Sequence, residues 1–181
     1  MTGAIARYGV IGIFVLMVPE SACIPVPSEV TLLFSGFGVR EGWISFPLAV
    51  LAATAGNVVG SLLAYSLGAS RMLERLPAAR TVLSRWGGMV DRHGLRAVFL
   101  ARLLPLARTF VSLPAGARRV PLIPFIVLTT MGCALWAAAL VLIGVAAGSG
   151  WAAVSSTLGR ALLVVGLVAI AWPATRRRRR R

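Results

Sequence analysis

The sequence predicts an all-α polytopic membrane protein with two opposed re-entrant hairpins and about three full transmembrane helices, arranged like an inverted repeat. Three observations lead there. First, 58% of the 181 residues are hydrophobic and 13% are charged, against roughly 45–50% and about 25% in ordinary soluble domains. Second, residues 43–69 and 120–159 carry no charged side chain. At about 1.5 Å per residue the first run alone makes a helix of about 40 Å, longer than the roughly 30 Å hydrocarbon core of a bilayer. Third, two other apolar stretches are interrupted by prolines and charges. A conventional soluble enzyme is excluded. The net charge of +14, from 19 arginines and no lysine against 5 acids, suggests nucleic acid only until the charge-free runs are seen, because a nucleic-acid module needs a soluble basic surface. No nucleic-acid partner is expected.

Taken in order, residues 4–37 begin as a helix of about a dozen apolar residues. They then meet Pro19, Glu20, Pro25, Pro27 and Glu29 before continuing apolar to Phe37. Prolines and acids of this density do not fit inside a regular helix, so a re-entrant hairpin is expected, broken from Pro19 onward. Arg7 and the following apolar stretch imitate a signal peptide, and Ser21-Ala22-Cys23 imitates a lipoprotein cleavage site. Glu20 stands where that site needs an aliphatic residue, so the segment reads as mature structure. Residues 43–69 form the first full span, followed by the arginine-rich linker 71–96. Ala97–Ala117 is the second broken stretch, interrupted by Arg102, Pro105, Arg108 and Pro114. Spans follow at 120–147 and 157–175, and Arg176–Arg181 close the chain. Residues 1–175 form one membrane domain and 176–181 a poly-arginine tail. Trp43, Trp151 and Trp172 fall near the expected boundaries, as aromatic belts do. Gly56 with Gly60 and Gly144 with Gly148 have the GxxxG spacing that lets helices approach, a spacing also common by chance in glycine-rich chains.

The positive-inside rule places the linker and the tail in the cytoplasm. A re-entrant segment and two full spans lie between them, so the parity closes and Arg118 and Arg119 fall at the cytoplasmic rim. Spans 43–69 and 120–147 then run in opposite directions, as an inverted repeat requires, with a site near the midplane where the broken helices meet. The tail is expected to act as a topology anchor, and both basic segments to lie against anionic lipids.

Non-helical backbone at membrane depth is tolerated where it is buried or lines a wet cavity, and charges there mark sites. The opposed hairpins bring Glu20 and Glu29 toward Arg102 and Arg108. Arginine forks suit phosphate oxygens. Burial opposes and a neighbouring arginine favours the ionised carboxylate, so such acids can exchange protons as an anion comes and goes. The alternative is a set of structural ion pairs holding the hairpins together. Asn57, Tyr65 and Pro105 are candidates to line the cavity, and Asn57 and Tyr65 serve equally well as helix–helix hydrogen bonds. Cys23 and Cys133 form no CxxC pair and read as buried fillers, and a single histidine, His93, excludes multi-histidine centres. No metal or cofactor is expected, and nothing sets the oligomeric state.

At these residues the sequence resembles the DedA family of VTT-domain membrane proteins, over roughly residues 10–148. Pro19-Glu20-Ser21 with Pro25-Val26-Pro27-Ser28-Glu29 and Ser35-Gly36 is similar to the family's acidic motif, and Ala55-Gly56-Asn57 with Gly60, Tyr65 and Gly68 to its glycine-spaced span. Phe99-Leu100-Ala101-Arg102-Leu103-Leu104-Pro105-Leu106-Ala107-Arg108-Thr109-Phe110, with Leu113-Pro114-Ala115-Gly116-Ala117-Arg118-Arg119, is close to its second signature. Ala101 stands where many members have glycine. The resemblance implies a non-enzymatic flippase of the bacterial cytoplasmic membrane for a phosphate-headed lipid, foremost undecaprenyl phosphate, coupled to protons. It also implies paired acids at Glu20 and Glu29 and paired arginines at Arg102 and Arg108, with Arg119 as a further phosphate-binding arginine. The alternatives are a phospholipid flippase or scramblase acting on a lipid such as phosphatidylethanolamine, and a structural or assembly factor.

Overall fold

An apolar run with no water to satisfy its backbone has to close its hydrogen bonds internally, and a helix does this within one segment. The computed structural model describes residues 2–22, 28–70, 94–104 and 107–150, together with 83, 87, 88, 90–92, 153, 154, 156, 157 and 160. Among these residues there is no strand. The helices are α1 (Thr2–Ser21), α2 (Ser28–Arg40), α3 (Phe46–Ala69), α4 (Leu95–Arg102), α5 (Ala107–Phe110), α6 (Ser112–Ala117) and α7 (Leu122–Ala147), followed by a 3-10 turn at Gly148–Gly150. Most of the linker 71–96 and of the expected span 157–175, the tail 176–181, and Cys23, His93 and Pro105 lie outside the described residues.

The two charge-free runs become α3 and α7, of 24 and 26 residues. Both are long and apolar enough to cross a membrane. Pro47 sits in the first turn of α3, where no intrahelical bond is lost. Their outer faces carry large apolar side chains, with Ile123 77% and Leu51 64% exposed. Apolar surface of this extent marks a membrane or partner face.

The broken stretches are cut differently from expectation. The helix does not stop before Pro19: α1 carries Pro19 and Glu20 in its last turn and ends at Ser21. The missing N–H leaves the Val15 carbonyl without its intrahelical donor, a loss the helix carries within one turn of its end, with two residues beyond it. Glu29 then lies in the first turn of α2. The acids therefore occupy two helix ends flanking the stretch 23–27, whose structure is not among the described residues. The second stretch is divided into α4, α5 and α6, of eight, four and six residues. None is long enough to cross a bilayer, which takes about 20 residues.

Packing follows a crosswise plan. α1 lies along α3 and α4 along α7, so each leading segment packs on the long helix that follows it in sequence. α2 packs instead on α7, and α6 on α3. Glycine makes these seams possible: a methyl at Gly36 would strike the Val141 carbonyl oxygen and at Gly144 the Leu33 carbonyl oxygen, while Gly68 and Gly116 oppose Leu113 and Tyr65 in the same reciprocal way. Such close approach lets backbones pack where apolar burial supplies little drive. Gly56 and Gly60 bear directly on the α1 backbone at Phe14 and Val18, so this GxxxG is a packing motif. Gly144 and Gly148 are not one. Gly148 has φ +54° and ends α7, and its neighbour Arg40 donates from Nη1 to the Val145 carbonyl at 3.3 Å. The core is correspondingly fine-grained. One cluster joins Ile13, Met17 and Leu32 to alanines of α3 and to Leu140 and Val141. A second joins Val98, Ala101, Val111 and Phe125.

Candidate functional site

Two helix ends and one short helix converge on a single guanidinium. The last turn of α1 presents Glu20, the first turn of α2 presents Ser28 and Glu29, and α5 presents Arg108 from the other half of the chain. Nη2 of Arg108 donates to Oε1 of Glu20, to Oγ of Ser28 and, at 3.3 Å, to Oε1 of Glu29. The Ser28 hydroxyl accepts from Arg108 and donates to Glu20 Oε1 at 2.6 Å, so one serine bridges acid and base. The guanidinium also lies over the indole of Trp136, 5.0 Å from the ring centroid, a cation–π contact strengthened by exclusion of water. Arg108 is 7% exposed and Glu20 5%. Glu20 Oε2 and Arg108 Nε are buried without a hydrogen-bond partner among the described residues, so both members of the pair keep polar capacity in hand.

Arg102 is still more deeply buried, at 1%, but serves differently. Nη1 donates to the carbonyl oxygen of Arg108 at 2.7 Å, and Nη2 to Ser112 Oγ at 2.7 Å and to Thr129 Oγ1 at 3.3 Å. Its guanidinium also sits 5.8 Å from the Phe125 ring centroid. Three hydrogen bonds thus tie α4 to α5, α6 and α7, and one of them fixes the main chain of the residue that meets the acids. Gly132 makes room for this: a methyl there would overlap the Arg102 stem.

Of the residues expected from sequence, Glu20, Glu29 and Arg108 come together, with Arg102 behind Arg108. Arg119 stands apart, exposed in the turn after α6 with φ +50°. Asn57 is buried, and its Oδ1 accepts from Ser21 Oγ at 2.6 Å, which ties α3 to the residue beside Glu20. The Tyr65 hydroxyl donates to the Val120 carbonyl at 2.6 Å, and its ring lies 4.9 Å from that of Phe125. Both act as bonds between elements. Pro105 is outside the described residues. Ser28 and Trp136 were not expected as site residues. Ser28 had a signal as the polar residue opening a helix directly after a proline, and Trp136 as a tryptophan in mid-span, away from the boundaries where such residues gather. No group of three or more His, Cys, Asp or Glu side chains suited to a metal occurs among the described residues.

The arrangement can present a cation to an anion that competes with two carboxylates. A phosphate oxygen at Nη2 would displace Glu20 or Glu29. A carboxylate left without its partner in such a place is costly as an anion and is relieved by taking a proton.

The VTT domain matches residues 26–146, a stretch that holds Ser28, Glu29, Arg102, Arg108 and Arg119 and begins after Glu20. The chain is 32% identical over 166 residues to a Lactococcus lactis subsp. cremoris protein named alkaline phosphatase-like protein, covering 84% of this chain and 77% of that one. It is 28% identical over 163 residues to undecaprenyl phosphate transporter A of Bacillus subtilis, covering 81% and 79%. To the Staphylococcus aureus protein of the same name it is 27% identical over 190 residues, covering 97% and 94%. No solved structure matches the chain.

Proposed function

The chain belongs to the VTT-domain (DedA) family, and from that premise we propose that it carries a phosphate-headed lipid, foremost undecaprenyl phosphate, between the leaflets of the bacterial cytoplasmic membrane. The observation that carries this reading is the Arg108 guanidinium, buried and bound by Glu20, Ser28 and Glu29 where helix ends from the two halves of the chain meet. The relatives named undecaprenyl phosphate transporter support the substrate class.

In this reading α3 and α7 cross the membrane, and α1–α2 and α4–α6 enter it as opposed re-entrant hairpins. A third span lies at 157–175. The linker 71–96 and the tail 176–181 face the cytoplasm against anionic lipids. The phosphate is taken by Arg108, which offers a planar fork to two oxygens. Arg102 holds the Arg108 main chain in place, and Arg119, at the rim, meets the head group on its way. Glu20 and Glu29 accept a proton as the phosphate displaces them and return it when the lipid leaves. Transport is thereby coupled to proton movement.

The test is reconstitution into phosphatidylcholine vesicles with undecaprenyl phosphate on one side. Wild-type protein moves the lipid to the other leaflet, Arg108→Gln abolishes this, and excess phosphatidylethanolamine does not compete. Unchanged transport in Arg108→Gln overturns the assignment, and competition by phosphatidylethanolamine redirects it to a glycerophospholipid. The Lactococcus name favours a second reading, hydrolysis of a phosphate monoester. Release of inorganic phosphate from the same vesicles would establish it.

A further inference from the structure

An apolar groove of about 510 Å³ lies between α1 and α2, within the range of roughly 300–1,000 Å³ for sites that take small molecules. Gly9, Gly12 and Leu16 line it from α1, Thr31 and Phe34 from α2, and Trp43 from the turn after α2. None of the described residues that line it is charged. Ser35, on the same wall, donates its hydroxyl to the Thr31 carbonyl at 2.6 Å, so its polarity is spent within its own helix.

The helical register connects this groove to the charged cluster. Positions 9, 12 and 16 recur at the spacing of one helix face, and one turn further along that face stands Glu20. On α2 the stripe of 31, 34 and 38 extends one turn back to Ser28. Glu20 and Ser28 both hold Arg108. The groove therefore lies on the faces of α1 and α2 that carry, one turn further along, two of the residues that hold Arg108.

Two glycines of α1 line it and press on no other described residue. A methyl at Gly9 or Gly12 would meet nothing within 4 Å among the described residues, whereas one at Gly56 or Gly60 would collide with α1. The groove's described walls are apolar, and the residues one turn beyond them hold the cation suited to a phosphate; that combination suits a hydrocarbon chain joined to a phosphate head.

We infer that this groove holds the hydrocarbon chain of a phosphate-headed lipid whose head group is at Arg108, so that the chain is carried by α1 and α2 while the charge is held between the halves. The inference rests on the lipid-carrier reading of the same site. It makes the acidic half the one that grips the lipid tail.

The test uses a polyprenyl phosphate carrying a photoreactive diazirine on its chain, with phosphatidylcholine carrying the same diazirine as the reference, both in phosphatidylcholine vesicles containing the full chain. Labelling by the polyprenyl phosphate should concentrate on residues 9–16 and 31–38, about tenfold above the reference lipid, and Gly12→Leu should lower it by about tenfold, since a filled apolar pocket discriminates by that order. Leu16→Trp, at a position 43% exposed, fills the groove from a second point and should do the same. Equal labelling by the two lipids, or labelling unchanged in both variants, overturns the inference. So do crosslinks from Gly12→Cys to another copy of the chain or to residues 151–175. The two readings fail separately. Transport that depends on Arg108 but leaves the groove unlabelled sinks the groove alone, while groove labelling without any transport leaves the chain site standing and sinks the carrier.

Discussion

The two halves of the chain share a scaffold and divide the chemistry. Each has a leading segment on its own long helix and a second segment crossed onto the other's, with a glycine seam at each crossing. In the first half the charged residues are acids at two helix ends, and both reach across to Arg108. In the second half they are arginines, and the two are not equivalent. Arg108 meets the acids, whereas Arg102 donates to the Arg108 carbonyl, Ser112 and Thr129, all in its own half. Charge type at the break thus says little about role until the partners are known, because a buried arginine can serve as a ligand or as a tie.

The largest effect should come from breaking that inequivalence with double-mutant cycles. Arg102→Ala and Arg108→Ala should each destabilise the protein by about 3–5 kcal/mol, the cost of removing one member of a buried charged network. Glu20→Gln should rescue part of the Arg108→Ala loss, with a coupling of about 1–3 kcal/mol, because it removes the carboxylate left unpaired. It should rescue Arg102→Ala less. Thermal unfolding in detergent measures both. Equal rescue would make the arginines equivalent and erase the distinction between them.

A step smaller are the seams that the halves have in common. Gly36→Ala in the first half and Gly116→Ala in the second push a methyl into the Val141 and Tyr65 carbonyl oxygens. Backbone cannot yield as a flexible side chain can, so each should cost about 1–3 kcal/mol, in the range of overpacking. Similar costs would support a shared scaffold. A harmless substitution at one position only would show that the halves pack differently.

The scaffold is more legible in the sequence than the roles. The spans 43–69 and 120–147 drawn from the charge-free runs match α3 and α7 to within a few residues, because a helix of that length with a face in water would carry charge somewhere along it. Proline density announces the breaks, but Pro19 misplaces one of them: a proline shows that a hydrogen bond is missing and not whether the helix stops there. Glu20, Glu29 and Arg108 can be grouped by charge and by opposed segments. The separate duty of Arg102 cannot, since it depends on where α4 ends relative to Ser112 and Thr129, which is settled by packing far along the chain.

Each half also has a fully buried serine that meets one of the two arginines, Ser28 at Arg108 and Ser112 at Arg102. Replacing either by alanine should cost about 1–2 kcal/mol of stability, the loss of a hydrogen bond to a charged group. Their effects on transport should separate. Ser28→Ala loosens the bridge between Glu20 and Arg108 and should alter the rate and its pH profile, whereas Ser112→Ala should leave the pH profile in place. A pH profile moved equally by both would make the serines interchangeable.

The smallest effects belong to the rim arginines, where the halves differ again in what they touch. Arg40 donates to the Val145 carbonyl in the last turn of α7, and Arg118 pairs with Asp91 at 3.0 Å with both side chains about half exposed. Arg118→Ala should change stability by less than about 1 kcal/mol, as exposed ion pairs do. Arg40→Ala should cost about 0.3–1 kcal/mol, as a cation at a helix C-terminus does. Raising the salt from 0.1 to 1 M shortens the screening length from about 10 to about 3 Å, so unfolding measured at both concentrations should show both differences shrinking. The Arg40 effect should persist further, because its partner is a backbone carbonyl that the helix end otherwise leaves unsatisfied, and a hydrogen bond is screened less than a bare charge pair. A loss above about 2 kcal/mol at Arg118 would move it from the rim into the network that holds the halves together.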